Sequence, residues 1–120
     1  MGFSRQDLEL LDRTGEVEIE TRRGDRSYRT VIWVVVDDGE VFVRSVRGEL
    51  GKWYQRAQAH REVTLHADGR SIEARVMPAQ DEESVSRVDE ALRAKYRPGR
   101  SLDSMLRDEV LDTTLRLEPV

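Results

Sequence analysis

The sequence predicts an α+β fold in which six mostly antiparallel strands curl into a small barrel with short helices between them. Two Asp-Gly pairs, Asp38-Gly39 and Asp68-Gly69, separate apolar stretches, as hairpin turns between antiparallel strands do. Polar and apolar side chains alternate from Glu16 to Thr21, which is typical of a half-buried strand. Helical spacing of apolar residues appears between these strand segments. The 120 residues fit one domain.

A short helix opens the predicted fold. Ser4 is expected to cap a helix that runs to Arg13, because its hydroxyl can accept a hydrogen bond from the backbone N–H of Asp7. Phe3 before the cap and Leu8 inside the helix are spaced as a hydrophobic staple. The first strand, residues 16–21, then leads through a polar loop to the next strand.

The middle of the chain is predicted as two strands followed by a helix. An unbroken apolar run ends the strand from Arg29 to Val36, and such a run indicates burial on both faces. The next strand is predicted from Val41 to Val46. The helix that follows covers residues 50–60, and the side chains on its apolar face are Leu50, Trp53, Tyr54 and Ala57.

The rest of the chain is predicted to form a second hairpin, a longer helix and a last strand. The hairpin strands are residues 63–67 and 71–76. Asp81 places a carboxylate at the positive end of a helix that should cover an open side or end of the sheet. The apolar face of this helix carries Val85, Val88, Leu92 and Tyr96. One or two helical turns within residues 101–108 precede a strand over residues 112–118.

Charge is distributed unevenly along the chain. The net charge of −4 argues against a general nucleic-acid binder. Residues 21–61 nevertheless carry nine Lys or Arg against five acids, a net of +4 that leaves −8 for the remainder. A positive patch on an acidic protein favours a small anionic ligand over a long polyanion. The weaker alternative is nucleic-acid binding with bases stacked on Tyr28, Trp53 and Tyr54.

The residue types present exclude several kinds of site. Without cysteine, the sequence offers no disulfide, thiol nucleophile or cysteine-based zinc site. His60 and His66 are neither clustered with other ligands nor placed in a catalytic motif, so neither a metal site nor a hydrolase triad is predicted. The longest apolar run, residues 31–36, is too short to span a membrane, and no signal-peptide pattern begins the chain. A cytoplasmic protein is expected.

Basic residues concentrate where the strand of residues 41–46 meets the next helix. Backbone N–H groups at a helix start point outward, and Arg and Lys add charge-assisted hydrogen bonds. The segment therefore predicts a site for an oxyanion such as phosphate, although solvated charges in an Arg-rich chain would look the same. The residues concerned are Arg44, Ser45, Arg47, Gly48, Lys52 and Arg56.

The order of these segments resembles the split-barrel flavin-binding superfamily, which includes the pyridoxamine-phosphate oxidases and the deazaflavin-dependent nitroreductases. The chain is most similar to a small uncharacterised family with an Ile-Trp-Val strand and an Arg-Ser-Val-Arg-Gly segment before a Trp-Tyr pair. These are Ile32-Trp33-Val34, residues 44–48 and Trp53-Tyr54 here. The parallel to the nitroreductases begins near Thr21, and Glu49 stands where their turn has a second glycine.

The resemblance implies a six-stranded, mostly antiparallel split β-barrel that binds a flavin-type nucleotide, the deazaflavin coenzyme or FMN. The cofactor of such proteins often lies in a groove at a homodimer interface. By this resemblance Ser45, Arg47 and Lys52 hold the phosphate at the turn that contains Gly48. Arg44 and Arg56 add to the positive field, and Trp53 borders the ring system.

Two functions remain open at this stage. One is an oxidoreductase in which the cofactor carries the hydride and the protein orients a small electrophilic substrate. The other is a non-catalytic domain of the same fold that binds a small anion or a protein partner. Trp33 and Trp53 are more readily explained by core or interface packing than by stacking on a ring.

Overall fold

The computed structural model describes residues 2–120, which form six strands and five α-helices around a closed barrel. The strands are β1 (Glu16–Arg23), β2 (Arg26–Asp37), β3 (Glu40–Val43), β4 (Glu62–Ala67), β5 (Arg70–Pro78) and β6 (Leu115–Pro119). The helices are α1 (Arg5–Arg13), α2 (Lys52–Ala59), α3 (Glu82–Lys95), α4 (Arg100–Met105) and α5 (Asp108–Leu111). Every neighbouring pair in the order β1-β2-β3-β6-β5-β4 is antiparallel, which confirms the predicted fold class.

Local sequence chemistry sets the hairpins and the helix starts. Asp38-Gly39 and Asp68-Gly69 have positive φ at both residues, as type I′ turns require, and they fix β2 against β3 and β4 against β5. The Asp7 N–H donates to Ser4 Oγ over 3.0 Å, so the predicted cap of α1 is confirmed. Asp81 caps α3 in the same way.

Apolar side chains form two buried layers on opposite sides of the sheet. The barrel interior is filled from all six strands and is closed by α1 and α2. On the outer face, Val35 and Phe42 pack against Val88 and Leu92 of α3, together with side chains of α4. The prediction that α3 covers a side of the sheet is therefore confirmed. No helix within residues 2–120 is long and apolar enough to cross a membrane.

Two predicted strands are shorter in the structure than in the sequence analysis. β3 ends at Val43 instead of Val46, because the chain leaves the sheet as the Ser45 N–H bonds to Thr113 Oγ1. β6 begins at Leu115 instead of residue 112, because α5 and a turn occupy the residues before it.

Two burial predictions were wrong. Leu50 is 78% exposed, because residues 48–50 form a 3₁₀ turn and the α-helical periodicity begins only at Lys52. Val31 is 58% exposed, because it lies on the outer face of β2 beyond the end of β3 and no helix covers it. Burial on both faces of β2 is thus confined to the segment that pairs with β3.

Candidate functional site

The unequal lengths of β2 and β3 open a cleft in the side of the barrel. β3 pairs only with Val34–Asp37, so the earlier part of β2 has no strand on that side. The turn after β3 and the start of α2 cross this gap instead. A cavity of about 500 Å³ lies between them, within the size range of small-molecule sites. Its apolar walls include Val31, Ile32, Trp33 and Met105.

The structure brings five of the seven sequence-predicted residues to this cleft. They are Arg44, Ser45, Arg47, Lys52 and Trp53. Gly48 lies behind them within the turn, and Arg56 lies on another surface of α2. These five residues do not share one role, because their surroundings differ in burial and in hydrogen bonding.

Arg44 is held inside the protein. It is 2% exposed, and its Nη1 donates to Asp89 Oδ1 over 2.7 Å and to the Met105 carbonyl over 2.9 Å. Nε and Nη2 donate to Thr114 Oγ1 and to the carbonyl of Val85. Burial lowers the pKa of Arg44, and the hydrogen bond and charge of Asp89 oppose that shift. Arg44 therefore ties the end of β3 to α3, to α4 and to the residue before β6.

Ser45 and Gly48 shape the turn. The Ser45 hydroxyl donates to the Gly48 carbonyl over 2.8 Å within a buried environment. Gly48 has φ +62, and a Cβ there would lie 2.9 Å from the carbonyl oxygen of Glu109. A side chain at Gly51 would contact the Ser45 hydroxyl. These three residues allow a tight turn that leads directly into α2.

The start of α2 presents unpaired donors and two cations to the cleft. Its N-cap is Gly51, which has no side chain to accept from the N–H groups of the first turn. Arg47 and Lys52 are exposed, and neither has a hydrogen-bond or ion-pair partner within residues 2–120. Positive charge at the positive end of a helix favours an anion. Glu16 is the one carboxylate among the described residues that line the cleft.

The two tryptophans meet the cleft differently. Trp53 is 6% exposed and packs edge-on against Tyr54, with ring centroids 6.2 Å apart. Trp33 is half-buried and stacks face to face on Tyr96 at 3.8 Å. The residue pattern favoured packing for both, and the family resemblance placed Trp53 beside the ring system; the structure places both at the wall of the cavity.

Arg56 belongs to a second, more exposed surface. Its Nε donates to Thr21 Oγ1 over 2.8 Å, and its guanidinium lies 4.3 Å from the centroid of the Tyr28 ring. A shallow hollow of about 550 Å³ lies beside it, also lined by Lys52. Arg22, Arg23 and His60 also line this hollow.

One wall of the cleft, formed by α4, was not predicted from the sequence. Ser101, Ser104 and Met105 of α4 line it, but a six-residue helix is too short to show a periodic signal that would assign its faces. Arg107 connects this wall to the turn, because its Nη2 donates to the carbonyl of Val46 over 3.0 Å. The α4 wall is thus attached to the same turn that carries Arg47.

A hydrogen-bonded row on the barrel surface was also missed. His66 Nε2 lies 2.7 Å from Glu20 Oε1, and its Nδ1 lies 3.1 Å from Ser71 Oγ. The hydrogen bond to His66 lowers the pKa of Glu20. Because neither His66 nor Ser71 lines the cleft, this row connects β1, β4 and β5 apart from the site.

The sequence matches one protein family over almost its whole length. A family model described as "Uncharacterized protein conserved in bacteria (DUF2255)" matches residues 7–117. The chain belongs to this family. No curated protein matches its sequence.

Solved structures share the fold of this family member at low sequence identity. The FAD-binding protein of Mycobacterium smegmatis is 20% identical, with a TM-score of 0.68 over 100% of this chain and 92% of that chain. A NimC/NimA family protein of Clostridium acetobutylicum is 18% identical, with a TM-score of 0.64 over 97% and 81%. HutZ, the heme storage protein of Vibrio cholerae, is 13% identical, with a TM-score of 0.64 over 100% and 92%. These likenesses show the fold, and at the level of the fold they confirm the expected resemblance to flavin-binding split-barrel proteins.

Proposed function

We propose that this protein binds a flavin-type nucleotide, FMN or the deazaflavin coenzyme, in the cleft between β2 and α2. The observation that carries the proposal is the uncapped start of α2, which faces the cleft beside Arg47 and Lys52. The FAD-binding protein of Mycobacterium smegmatis shares the fold, which supports a flavin ligand over other phosphorylated compounds.

The residues of the cleft fit such a ligand at both of its ends. Arg47 can bridge two phosphate oxygens, and Lys52 adds a point charge. No side-chain cap accepts from the N–H groups of the first α2 turn, so these groups can donate to further phosphate oxygens. Val31, Ile32 and Met105 provide apolar contact for a ring system. A cavity of about 500 Å³ accommodates ligands of this class.

Bound flavin or deazaflavin supplies hydride transfer, so an oxidoreductase that reduces a small electrophilic substrate is the corresponding activity. The contribution of this chain is to bind the phosphate, orient the ring along β2 and limit access of water. The second candidate is a non-catalytic anion-binding domain, because the same donors at α2 would hold an anion without any ring.

The proposal includes a homodimer. Val31, Val46 and Leu50 are exposed by 58%, 45% and 78%, and Val31 and Val46 line the cleft. A second copy that covers this surface would remove these apolar side chains from water. Light scattering should give the mass of a dimer at micromolar concentration, and a monomer mass would contradict this part of the proposal.

Substitution of Arg47 tests the proposed phosphate site. Each charge-assisted contact contributes roughly 1.5–3 kcal/mol, so Arg47→Ala should weaken FMN binding by about tenfold to a hundredfold. Arg47→Lys should recover only part of this loss, because an ammonium cannot bridge two oxygens. Arg97→Ala is the matched control, since Arg97 is exposed but does not line the cleft.

Fluorescence titration with FMN and with the deazaflavin coenzyme, at two salt concentrations, measures these affinities. Thermal melts of each variant should stay close to wild type, because the Arg47 side chain is exposed and makes no hydrogen bond or ion pair within residues 2–120. If wild type shows no saturable binding of either cofactor at submillimolar concentration, the flavin proposal fails. Binding of inorganic pyrophosphate that is lost in Arg47→Ala would then support the non-catalytic anion-binding alternative.

A further inference from the structure

Trp33 has one covered face and one surface on the cleft. Its indole ring stacks on the Tyr96 ring with centroids 3.8 Å apart and an interplanar angle of 3°. The same side chain lines the cavity and is only half-buried. Because Tyr96 covers one face, the ring can meet the cavity only with its other face or its edge.

Hydrogen bonds of Tyr96 and Lys95 to backbone groups hold the Trp33–Tyr96 stack in position. The Tyr96 hydroxyl donates to the Gly15 carbonyl over 2.6 Å and accepts from the Val34 N–H over 3.2 Å. These bonds continue the β1–β2 ladder at the point where β1 begins. Lys95 Nζ donates to the carbonyls of Leu11 and Val34, each over 2.7 Å, and lies 5.4 Å from the Tyr96 ring.

A side chain that is ordered before binding loses little entropy when a ligand contacts it. Trp33 meets this condition, because Tyr96 and the lysine beside it fix the position of the stack. Trp53 also lines the cleft, but it is 6% exposed and offers little surface for a ring to cover. Glu16, the cleft's carboxylate, is the register partner of Trp33 on β1 and can accept from an N–H group of a heterocycle.

We infer that Trp33, supported by Tyr96, is the platform on which the planar heterocycle of the ligand stacks. The inference rests on the proposed function and deepens it, because it assigns the ring to β2 and leaves the phosphate to Arg47 and Lys52. It also assigns the ring contact to Trp33 instead of Trp53, the tryptophan that the sequence analysis placed beside the ring.

Riboflavin and FMN separate the two parts of the site, since riboflavin has the ring and lacks the phosphate. Stacking between an aromatic side chain and a base is worth enough that Trp33→Leu should weaken binding of both compounds by about fivefold to a hundredfold. Trp33→Phe keeps an aromatic face and should retain most of the affinity. Arg47→Ala should weaken FMN and leave riboflavin unchanged.

Emission of the bound flavin gives a second readout that depends on contact. An indole in contact with a flavin quenches its emission by electron transfer, whereas phenylalanine is a poor electron donor. Bound flavin should therefore be dim in wild type, bright in Trp33→Phe and dim in the matched control Trp53→Phe. Thermal melts identify any variant that fails to fold, and the Trp33→Phe arm decides the question if Trp33→Leu is one of them.

The outcomes separate the inference from the proposal beneath it. If Trp33→Leu folds and binds both flavins like wild type, or if Trp53→Phe is the bright variant, the platform inference is overturned while the phosphate site stands. If Arg47→Ala binds FMN normally but Trp33→Leu does not, the platform stands and the phosphate assignment fails. Absence of binding of either flavin to wild type overturns both.

Discussion

Arg44 and Arg47 lie three residues apart in one turn, and the fold places them in opposite surroundings. Arg44 is 2% exposed and bonds to Asp89, Thr114 and two backbone carbonyls. Arg47 is exposed beside the cleft and contacts no carboxylate within residues 2–120. Arginine thus has a structural role at position 44, whereas at position 47 it is accessible to a ligand.

The difference shows that charge near a site is not the same as charge available to a ligand. The carboxylate of Asp89 lies 2.7 Å from the Arg44 guanidinium and compensates most of its field. A guanidinium taken out of water needs such a partner, because desolvation of an unpaired charge is costly. Among the basic residues within 2–120 that line the cleft, Arg47 and Lys52 are the ones without a carboxylate partner.

The largest expected effect comes from removal of the buried arginine. Arg44→Met should reduce the free energy of unfolding by about 3 kcal/mol, because it leaves Asp89 and several buried acceptors without their donor. Arg47→Met should change it by less than about 0.5 kcal/mol. Urea unfolding of both variants measures the contrast, and equal losses would show that the two arginines are not used differently.

Gly48 follows Arg47 in the same turn, and its substitution tests whether the turn itself needs glycine. Gly48→Ala should cost about 2 kcal/mol, because φ is +62 and the new Cβ would meet the Glu109 carbonyl at 2.9 Å. Gly24→Ala is the matched control, with φ +63 and nothing within 4 Å, and should cost about 1 kcal/mol. If urea unfolding gives the same loss of stability for both variants, the close approach to the Glu109 carbonyl does not contribute to the cost of Gly48→Ala.

Tyr96 allows the effect of burial, seen in the contrast between Arg44 and Arg47, to be tested on a group that titrates. Burial raises the pKa of Tyr96 to about 12, so the folded state holds the phenol proton at pH values where the unfolded chain has released it. Its stabilisation is present below about pH 10, the usual tyrosine pKa, and is lost as the pH rises through about 12. Tyr96→Phe should lose about 1 kcal/mol at neutral pH and lack this alkaline loss.

Urea unfolding at a series of alkaline pH values measures the difference between wild type and Tyr96→Phe. The subtraction removes contributions that both proteins share, including that of Lys95, whose pKa burial lowers to about 8. Parallel curves for the two proteins above pH 10 would contradict the assignment of the proton to Tyr96.

Arg56 is intermediate in burial between Arg44 and Arg47, and its substitution should have the smallest effect. It stacks on Tyr28 and bonds to Thr21, but it does not line the cleft. Arg56→Gln should cost about 0.5 kcal/mol of stability, the value of an exposed cation–π contact, and should weaken FMN binding less than Arg47→Ala does. A loss of FMN affinity equal to that of Arg47→Ala would extend the phosphate site to the second basic surface.

Local chemistry explains what the sequence predicted well. The Asp-Gly turns, the Ser4 and Asp81 caps and the apolar face of α3 depend on residues within a few positions of each other, and they appear as predicted. The predicted site around the start of α2 is local as well, and five of its seven residues meet in one cleft.

Contacts between distant residues decided the rest. Asp89, which neutralises Arg44, is 45 residues away, and the α4 wall comes from the other half of the chain. The exposure of Val31 depends on where β3 stops, which the Ser45–Thr113 bond sets across 68 residues. The sequence by itself determined the barrel and the position of the basic turn before α2, because turns, caps and periodicity are short-range. Which arginine of that turn is exposed at the cleft was decided by tertiary structure, because burial depends on partners that no local pattern specifies.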